Sequence, residues 1–213
     1  MTSDDTASGQ TVGEWLEALG SVAPAPGGGA ASAMNAAVAA ALVEMVCNLT
    51  IGKPKFAEHE AEVTSIRDTA ATLRRIAVGH IDADAAAFTD LMAAYRLPRD
   101  TAEQKETRRV AIEVGTRRAA TVPLDIAGTA AAVIALAVRL PGRSNPNVLS
   151  DVGVAAAAAA AAIDSAVINV EVNLATLPEG EAKTAMAGEA AGFGELAGQA
   201  RALAADVLRE VGA

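Results

Sequence analysis

The chain has 213 residues, of which 52% are hydrophobic and only 2% aromatic, and its formal net charge is −9. This length predicts one domain with a core of ordinary size, and the abundance of alanine favours helix over strand. The negative charge argues against a nucleic-acid partner, because such partners are bound largely through Lys and Arg. A single cysteine and the lack of a recognisable signal peptide predict a cytoplasmic protein.

Three apolar stretches have to be tested as membrane spans: residues 30–51, 126–138 and 152–172. The second is shorter than the ~20 residues of a span, and acidic residues interrupt the other two. We therefore expect no membrane association. The prediction is an all-α, single-domain bundle of long, Ala-rich, largely antiparallel helices over residues 11–213, preceded by a disordered N-terminus at residues 1–10.

Capping signals and hydrophobic periodicity divide the chain into helices. Thr11 with Glu14, and Thr101 with Gln104, have the spacing of a capping box at a helix N-terminus. Pro123 is expected to kink or break the helix in which it lies. The predicted helices cover residues 11–19, 30–49, 56–95, 101–140, about 152–177, and a last segment that ends at 211.

Three consecutive glycines, Gly27, Gly28 and Gly29, precede the second helix in the stretch "SVAPAPGGGAASAM". They do not form a Walker A loop, since no Gly-Lys-Ser/Thr follows, and no strand precedes them as in a dinucleotide fingerprint. Two interpretations remain open. The free N–H groups at the helix start suit a carboxylate or another anion, or the turn simply lets two helices pack closely.

Isolated candidates for chemistry are Lys53, His80 and Cys47. Lys53 follows a helix end, where it either complements the helix dipole or holds an anionic substrate. His80 lies one helical turn before Asp84, but a solvated helix face explains the pair, and too few further ligands exist for a metal site. Cys47 lies inside an apolar helix and is expected to be a core residue.

Polar side chains also cluster near the last apolar stretch. The segment "SNPNVLSD" brings four of them to a loop–helix junction, where turn and capping roles are the simple explanation. They are Asn145, Asn147, Ser150 and Asp151. Asn169 and Asn173 follow on one helix face, and such amides require hydrogen-bond partners, either a polar heterocycle or another helix.

Five stretches together resemble the cyclodeaminase/cyclohydrolase family, which includes the cyclodeaminase domain of formiminotransferase-cyclodeaminase and stand-alone methenyltetrahydrofolate cyclohydrolases. They occur in the family's order: "PAPGGGAASA" (24–33), "ALVEMVCNLTIGK" (41–53), "DADAAAFTDLMAAYRLPR" (82–99), "NPNVLSDVGVAA" (145–156) and "INVEVNL" (168–174). The resemblance implies an all-helical homodimer with a folate site. Two residues depart from the family pattern: Ala30 replaces the usual serine after the glycines, and Arg99 stands where lysine is common.

The resemblance implies a one-carbon tetrahydrofolate enzyme that needs no cofactor beyond this substrate and no metal. Cyclohydrolases of the family hydrolyse 5,10-methenyltetrahydrofolate to 10-formyltetrahydrofolate, and the cyclodeaminases close 5-formiminotetrahydrofolate to the methenyl form with loss of ammonia. Because no transferase domain is fused to the chain, we expect the cyclohydrolase. The alternatives are a cyclodeaminase and an inactive folate-binding or scaffold homologue.

The methenyl bridge is an amidinium-like cation, which a buried carboxylate would stabilise while it takes a proton from the attacking water. Asp151 is the first candidate for this carboxylate and Asp84 the second. Lys53, a further catalytic candidate, and Arg99 are expected to pair with folate carboxylates or a developing charge. The other predicted substrate-binding residues are Gly27, Gly28, Gly29, Asn145, Asn147, Ser150, Asn169 and Asn173.

Overall fold

The structure is a computed structural model that describes residues 6–212. Over these residues it contains six α-helices and no β-strand, which confirms the predicted all-α class. The helices are α1 (Val12–Leu19), α2 (Gly28–Asn48), α3 (Glu60–Tyr95), α4 (Ala102–Ala137), α5 (Leu149–Leu174) and α6 (Glu181–Val211). Short 3-10 turns lie at Ala7–Gly9, Pro54–His59 and Pro146–Val148.

Helix α2 lies at the centre of the bundle, in contact with α3, α4 and α5, while α6 covers α5 and α4. Short connections make successive long helices antiparallel. The inward side of α2 consists largely of small residues, with Ala36 and Ala40 fully buried, so neighbouring backbones approach closely. Cys47 is also fully buried there, as predicted, and desolvation raises the pKa of its thiol to about 12.

Both predicted capping boxes are formed. Thr11 accepts a hydrogen bond from the backbone N–H of Glu14, whose carboxylate accepts one from the N–H of Thr11 at 2.9 Å. Thr101 and Gln104 make the same reciprocal pair at the start of α4. Each box satisfies two N–H groups that a helix leaves without partners, so these two boundaries follow from local sequence alone.

Of the two effects expected of Pro123, a kink or a break, the break does not occur, because α4 is one continuous helix from Ala102 to Ala137. Proline has no N–H to donate to the carbonyl four residues earlier, which is that of Ala119. The side-chain amide of Asn173 on α5 donates to this carbonyl oxygen instead, at 2.9 Å. A tertiary hydrogen bond therefore replaces the missing helical one.

The N-terminal segment differs from the predicted disorder where it is described. Residues 1–5 lie outside the described residues, but Ala7–Gly9 forms a 3-10 turn. The backbone N–H of Ser8 donates to Oδ1 of Asp82 on α3 at 3.0 Å, and its hydroxyl donates to Oδ2. The carboxylate of Asp82 thus holds the segment that precedes α1 against α3.

Three helical segments are long and apolar enough to cross a membrane, judged by length and composition: Gly28–Asn48, Ala102–Ala137 and Pro146–Leu174. In each segment, half or more of the most apolar stretch of 18 residues is buried inside the bundle.

Candidate active site

A cleft of about 320 Å³ opens where α2 begins. The turn before α2 forms one wall, and α3, α4 and α5 form the others. Six of the residues predicted for the site line this cleft: Gly27, Gly28, Gly29, Asp84, Asn169 and Asn173. A single chain thus brings together half of the predicted set, from positions up to 146 residues apart in sequence, Gly27 and Asn173.

The carboxylate of Asp84 lies at the N-terminus of α2. Its Oδ2 accepts a hydrogen bond from the backbone N–H of Ala30 at 3.0 Å, in the position where a helix favours negative charge. One of the two interpretations of the glycine turn was that it presents free N–H groups to an anion, and the anion at Ala30 is the chain's own aspartate. Burial raises the pKa of Asp84, and the Ala30 hydrogen bond opposes this shift only in part.

The three glycines are not equivalent. A β-carbon at position 29 would lie 2.0 Å from Oδ1 of Asp84, which is an impossible contact. At position 28 it would lie 3.4 Å from the amide nitrogen of Asn169, and at position 27 it would meet nothing closer than 4.0 Å. Gly29 is therefore what admits the carboxylate to the helix start, and both interpretations of the turn hold in part: an anion is bound, and the close approach needs glycine.

The side-chain amide of Asn173 has a fixed orientation. Its Nδ2 donates to two carbonyl oxygens, that of Ala119 at 2.9 Å and that of Asn169 at 2.8 Å. Exchanging the amide oxygen and nitrogen would place three oxygens together, so the assignment is physically determined. With both amide hydrogens used, Oδ1 of Asn173 accepts no hydrogen bond among the described residues and remains an acceptor at the cleft wall.

Asn169 is held in a similar way, since its Nδ2 donates to the carbonyl oxygen of Ser165 at 2.8 Å. Both interpretations of the two amides are therefore partly correct: helices satisfy their nitrogens, while the side chains still line the cleft. No residue that lines the cleft in the described part of the chain is Lys, Arg or His. The cleft consequently offers hydrogen-bond acceptors and one carboxylate, which suit a cationic or donor-rich ligand.

An apolar wall completes the cleft, and the sequence analysis did not include it. Phe88 and Leu91 of α3 contribute to it, together with Pro123 of α4 and Val172 of α5. The signal that could have identified two of them is helical spacing, because Phe88 and Leu91 follow Asp84 at i+4 and i+7 and so share its face.

The remaining predicted residues do not reach this cleft within one chain. Helix α2 has 21 residues and so separates its two ends by about 30 Å. Lys53 follows the far end. Asn145 and Asn147, on the loop that packs on the same end, and Ser150 and Asp151, in the first turn of α5, also lie there. The expectation that all these residues line one pocket is wrong for a single chain.

A structural role explains the position of Asn145. Its backbone N–H donates to the hydroxyl of Thr50 at 3.0 Å, and its side-chain amide donates to the carbonyl of Leu49 at 3.2 Å. Its Oδ1 accepts from the N–H of Asn147 at 3.2 Å. These bonds attach the α4–α5 loop to the C-terminal end of α2, the end opposite to the glycines.

Two further candidates occupy separate places. Arg99 lies at the tip of the α3–α4 hairpin, where it lines a different cavity. His80 does not pair with Asp84, because its Nε2 lies 3.2 Å from the hydroxyl of Thr129, and burial lowers the pKa of its imidazole. Within residues 6–212 no three His, Cys, Asp or Glu side chains are grouped so as to hold a metal ion.

A helical bundle whose cleft combines a half-buried carboxylate with oriented amide groups defines a small-molecule site with the groups that acid–base chemistry requires. The family model described as formiminotransferase-cyclodeaminase matches residues 11–192. The chain belongs to this family, which confirms the resemblance inferred from its motifs.

Relatives at several distances agree with this assignment. The methenyltetrahydrofolate cyclohydrolase of Methylorubrum extorquens is 44% identical over 167 residues, which cover 78% of this chain and 80% of the relative. The formimidoyltransferase-cyclodeaminase of Rattus norvegicus is 32% identical over 75% of this chain, which spans only 30% of that longer protein. The crystal structure of formiminotetrahydrofolate cyclodeaminase from Thermotoga maritima has the same fold, with a TM-score of 0.84 over 95% of this chain and 97% of its own, at 23% identity.

Proposed function

We propose that the protein hydrolyses 5,10-methenyltetrahydrofolate to 10-formyltetrahydrofolate. The observation that carries this proposal is the Asp84 carboxylate, held in a cleft whose lining, within the described residues, contains no cationic side chain. The 44% identity to a methenyltetrahydrofolate cyclohydrolase, over most of both chains, supports the choice of reaction.

The charge of the substrate complements the cleft. The methenyl carbon joins N5 and N10 as an amidinium-like cation, and a carboxylate in a partly desolvated site attracts it more strongly than water would. The amide oxygen of Asn173 is a fixed acceptor, suited to an N–H of the pterin ring. Phe88 and Leu91 provide apolar surface for the rings themselves.

In the proposed reaction, Asp84 is the general base. Water adds to the methenyl carbon as Asp84 accepts one of its protons. The C–N5 bond then breaks, Asp84 returns this proton to N5, and the hydroxyl on the tetrahedral carbon loses its own proton to solvent as the formyl group forms on N10. A raised pKa brings the carboxylate nearer to the working pH and makes it a stronger base than an exposed aspartate. Within one chain Asp84 is the carboxylate at the cleft, whereas Asp151, the first candidate for this role, lies at the other end of the bundle.

A second candidate reaction is cyclodeamination of 5-formiminotetrahydrofolate, with loss of ammonia. The 32% identity to a formimidoyltransferase-cyclodeaminase favours it as the alternative. Both reactions form a tetrahedral carbon between N5 and N10, so the same carboxylate would serve either one. They differ in the leaving group, which an assay with both substrates separates.

The test is to follow the near-ultraviolet absorbance of 5,10-methenyltetrahydrofolate against its spontaneous hydrolysis, and to run the formimino substrate in parallel. Asp84→Asn should lower kcat by at least about 100-fold, the usual scale for a general base. Asp90→Asn is the matched control, since Asp90 is exposed on the same helix and pairs with Arg118. Wild-type turnover of the formimino substrate alone would establish the second candidate reaction, and turnover of neither would refute both.

We further propose that the protein works as a homodimer. The side of α2 that faces away from the core includes the exposed Val38, and Leu49, also exposed, follows the last residue of the helix. The adjoining side of α5 exposes Val154, Ile168 and Val172, of which the last two are about two-thirds exposed. Since α2 packs on α5, we infer that these residues form one apolar face, and exposed apolar faces mark interaction surfaces.

A twofold contact through this face would also unite the predicted site. The face runs from the cleft, where Val172 lies, to the end that carries Asp151 and Lys53. A second copy packed with its helices antiparallel would bring its Asp151 end towards the first copy's Asp84, as isologous symmetry requires of a C2 pair.

If the partner's Asp151 completes the site, Asp151→Asn should lose activity as Asp84→Asn does, and mixing the two variants tests this arrangement. Asp84→Asn and Asp151→Asn subunits, refolded together, should recover activity, because each hybrid dimer contains one site without substitutions. A monomer by sedimentation, or hybrids as inactive as their parents, would refute the shared site. Ile168→Glu should convert the protein to monomers in the same sedimentation experiment.

A further inference from the structure

An N-terminal arm, residues 7–26, precedes the glycine turn and lies against the bundle. Of its side chains only those of Trp15 and Pro26 are buried, and most of α1 is exposed to solvent. The hydrogen bonds described between this arm and the helices that follow it are the two from Ser8 to the carboxylate of Asp82. The docking of the arm therefore depends mainly on two contacts, the Ser8–Asp82 clasp and the side chain of Trp15.

Both contacts lie beside the turn that carries the cleft carboxylate. Asp82 precedes Asp84 by two residues on α3, and side chains at this spacing point to different faces of a helix. Trp15 packs in one apolar cluster with Ala30 and Ala87. The N–H of Ala30 donates to Asp84, and Ala87 lines the cleft. The arm thus supports, from outside the cleft, the two helical turns whose contact holds Asp84.

The arm also continues directly into one wall of the cleft. Helix α1 ends at Leu19, and residues 20–26, which contain no helix or strand, connect it to the glycine turn. Pro24 and Ala25 of this connection line the cleft. The position of such a connection is determined by the elements that hold its two ends, α1 and α2. Undocking of α1 would therefore release this wall together with the support behind Asp84.

Trp15 docks through the apolar surface of its ring. Its side chain is 4% exposed, and its Nε1–H donates to no acceptor among the described residues. The indole therefore contributes buried area to the docking of the arm, and the directional contacts are those of the clasp. A phenyl ring at position 15 would retain most of this area, whereas a methyl group would not.

We propose that the docked arm positions the catalytic carboxylate, with Asp82 and Trp15 as positioning residues that hold the Asp84 turn of α3 against the first turn of α2. The inference rests on the proposed function, in which Asp84 is the general base. Asp82 acts through Ser8 and the arm, and not on the substrate. When the clasp is lost, α1 undocks, the first turn of α2 shifts, and the hydrogen bond from Ala30 to Asp84 loosens.

Two variants at position 82 separate the clasp from the charge of Asp82. Asp82→Ala removes the carboxylate and both hydrogen bonds of the clasp. Asp82→Asn also removes the charge, but its amide oxygen accepts from the N–H of Ser8, and its NH₂ group donates to the hydroxyl, which is an acceptor as well as a donor. Since only the alanine variant loses the clasp, the difference between the two variants measures its effect.

The first test is the kinetics of both variants with 5,10-methenyltetrahydrofolate. Asp82→Ala should lower kcat about 10- to 100-fold, the scale of a misplaced reacting group. Its KM should stay within about twofold, because the walls of the cleft on α3 and α5 still bind the substrate. Asp82→Asn should keep kcat within about threefold of the wild type, since it retains the clasp. Asp90→Ala is the matched control, because Asp90 is exposed on the same helix and pairs with Arg118, away from the arm.

The second test follows the docking of the arm without any substrate. Trp15 is the only tryptophan of the chain, so its fluorescence reports the state of the arm. Acrylamide should quench the wild type and Asp82→Asn weakly, because the indole is buried. It should quench Asp82→Ala more strongly, towards the value of the urea-unfolded chain, while far-ultraviolet circular dichroism shows that the helices remain. Trp15→Phe, which removes no hydrogen bond to the described residues, should retain more kcat than Trp15→Ala.

Three results would overturn the inference. The first is a full kcat in Asp82→Ala. The second is an equal loss in Asp82→Ala and Asp82→Asn, which would assign the effect to charge. The third is a fall in kcat without increased quenching, because the arm would then still be docked.

If Asp82→Ala does not fold, the pair at position 15 decides, and an equal kcat of Trp15→Phe and Trp15→Ala refutes the inference. If the wild type converts neither the methenyl nor the formimino substrate, the proposed function fails and the inference fails with it. An active wild type combined with any of the results above refutes the inference alone.

Discussion

Replacing Gly29 by alanine should disable the site while it leaves the bundle intact. The new β-carbon would lie 2.0 Å from Oδ1 and 2.8 Å from Oδ2 of Asp84, so the carboxylate has to move by more than 1 Å. Gly29 is the second residue of α2 and has a helical backbone, which alanine adopts without strain. The substitution therefore acts on the carboxylate and not on the helix.

The magnitude follows from the contact that is lost. The hydrogen bond from Ala30 to Asp84 is of the charged type, worth about 1.5–3 kcal/mol. Displacement towards solvent would in turn relieve the desolvation that raises the pKa of Asp84, so the net change in unfolding free energy should stay below about 2 kcal/mol. Catalysis has no such compensation, because a displacement of 1 Å in a reacting group costs about 100-fold in rate.

The assay is kcat/KM for 5,10-methenyltetrahydrofolate beside urea denaturation, for Gly29→Ala and for Gly27→Ala. A β-carbon at position 27 would meet nothing closer than 4.0 Å, so this control should retain kcat/KM within a fewfold. Equal activity of the two variants, whether both fall or both remain, would show that contact with Asp84 does not determine the function of the turn.

Two further predictions concern the acid and the proline. Because burial raises the pKa of Asp84 in the folded state, the folded protein binds this proton more tightly than the unfolded chain, and stability falls as pH rises from about 3.8 through the raised value. In urea titrations at several pH values, Asp84→Asn should remove this fall in stability. The kcat/KM of the wild type should rise with pH through an apparent pKa above 3.8. Identical curves of stability against pH for the wild type and Asp84→Asn would refute the prediction. Asn173→Leu should lower the free energy of unfolding by about 1–3 kcal/mol, because it leaves the Ala119 carbonyl unpaired. Pro123→Ala restores a helical N–H, so the double variant should recover part of this loss. Strictly additive effects of the two substitutions would contradict the proposed replacement of the helical hydrogen bond.

The helices were predictable because their signals are local. Alanine content gave the class, and the pairs at Thr11 and Thr101 gave two helix starts, since each pair acts within a single turn. The continuity of α4 was not predictable, because the donor that compensates Pro123 lies 50 residues later, on Asn173. Local sequence rules predict the hydrogen bond that proline removes, but they do not predict a donor from another helix that replaces it.

The site was predictable in its residue types and less so in its arrangement. Motif order identified the glycines and Asp84, and these do meet. Asp151 and Asn145 belong to equally clear motifs, yet they lie at the opposite end of α2, because a 21-residue helix holds the two groups apart. A sequence motif identifies the type of chemical group, but the three-dimensional arrangement of the helices determines which of these groups lie in the same cleft.

Because Asn173 donates to the carbonyl that Pro123 leaves without a helical partner, the role of the residue at position 173 depends on the residue at position 123. In a related chain without proline at 123, the carbonyl at 119 would recover its own helical partner, and an amide at 173 would be free to turn its nitrogen towards the ligand. The two positions should therefore change together across related sequences, and with them the choice between donor and acceptor at the cleft wall. A transplant of this cleft into another bundle would have to carry the proline as well as the asparagine.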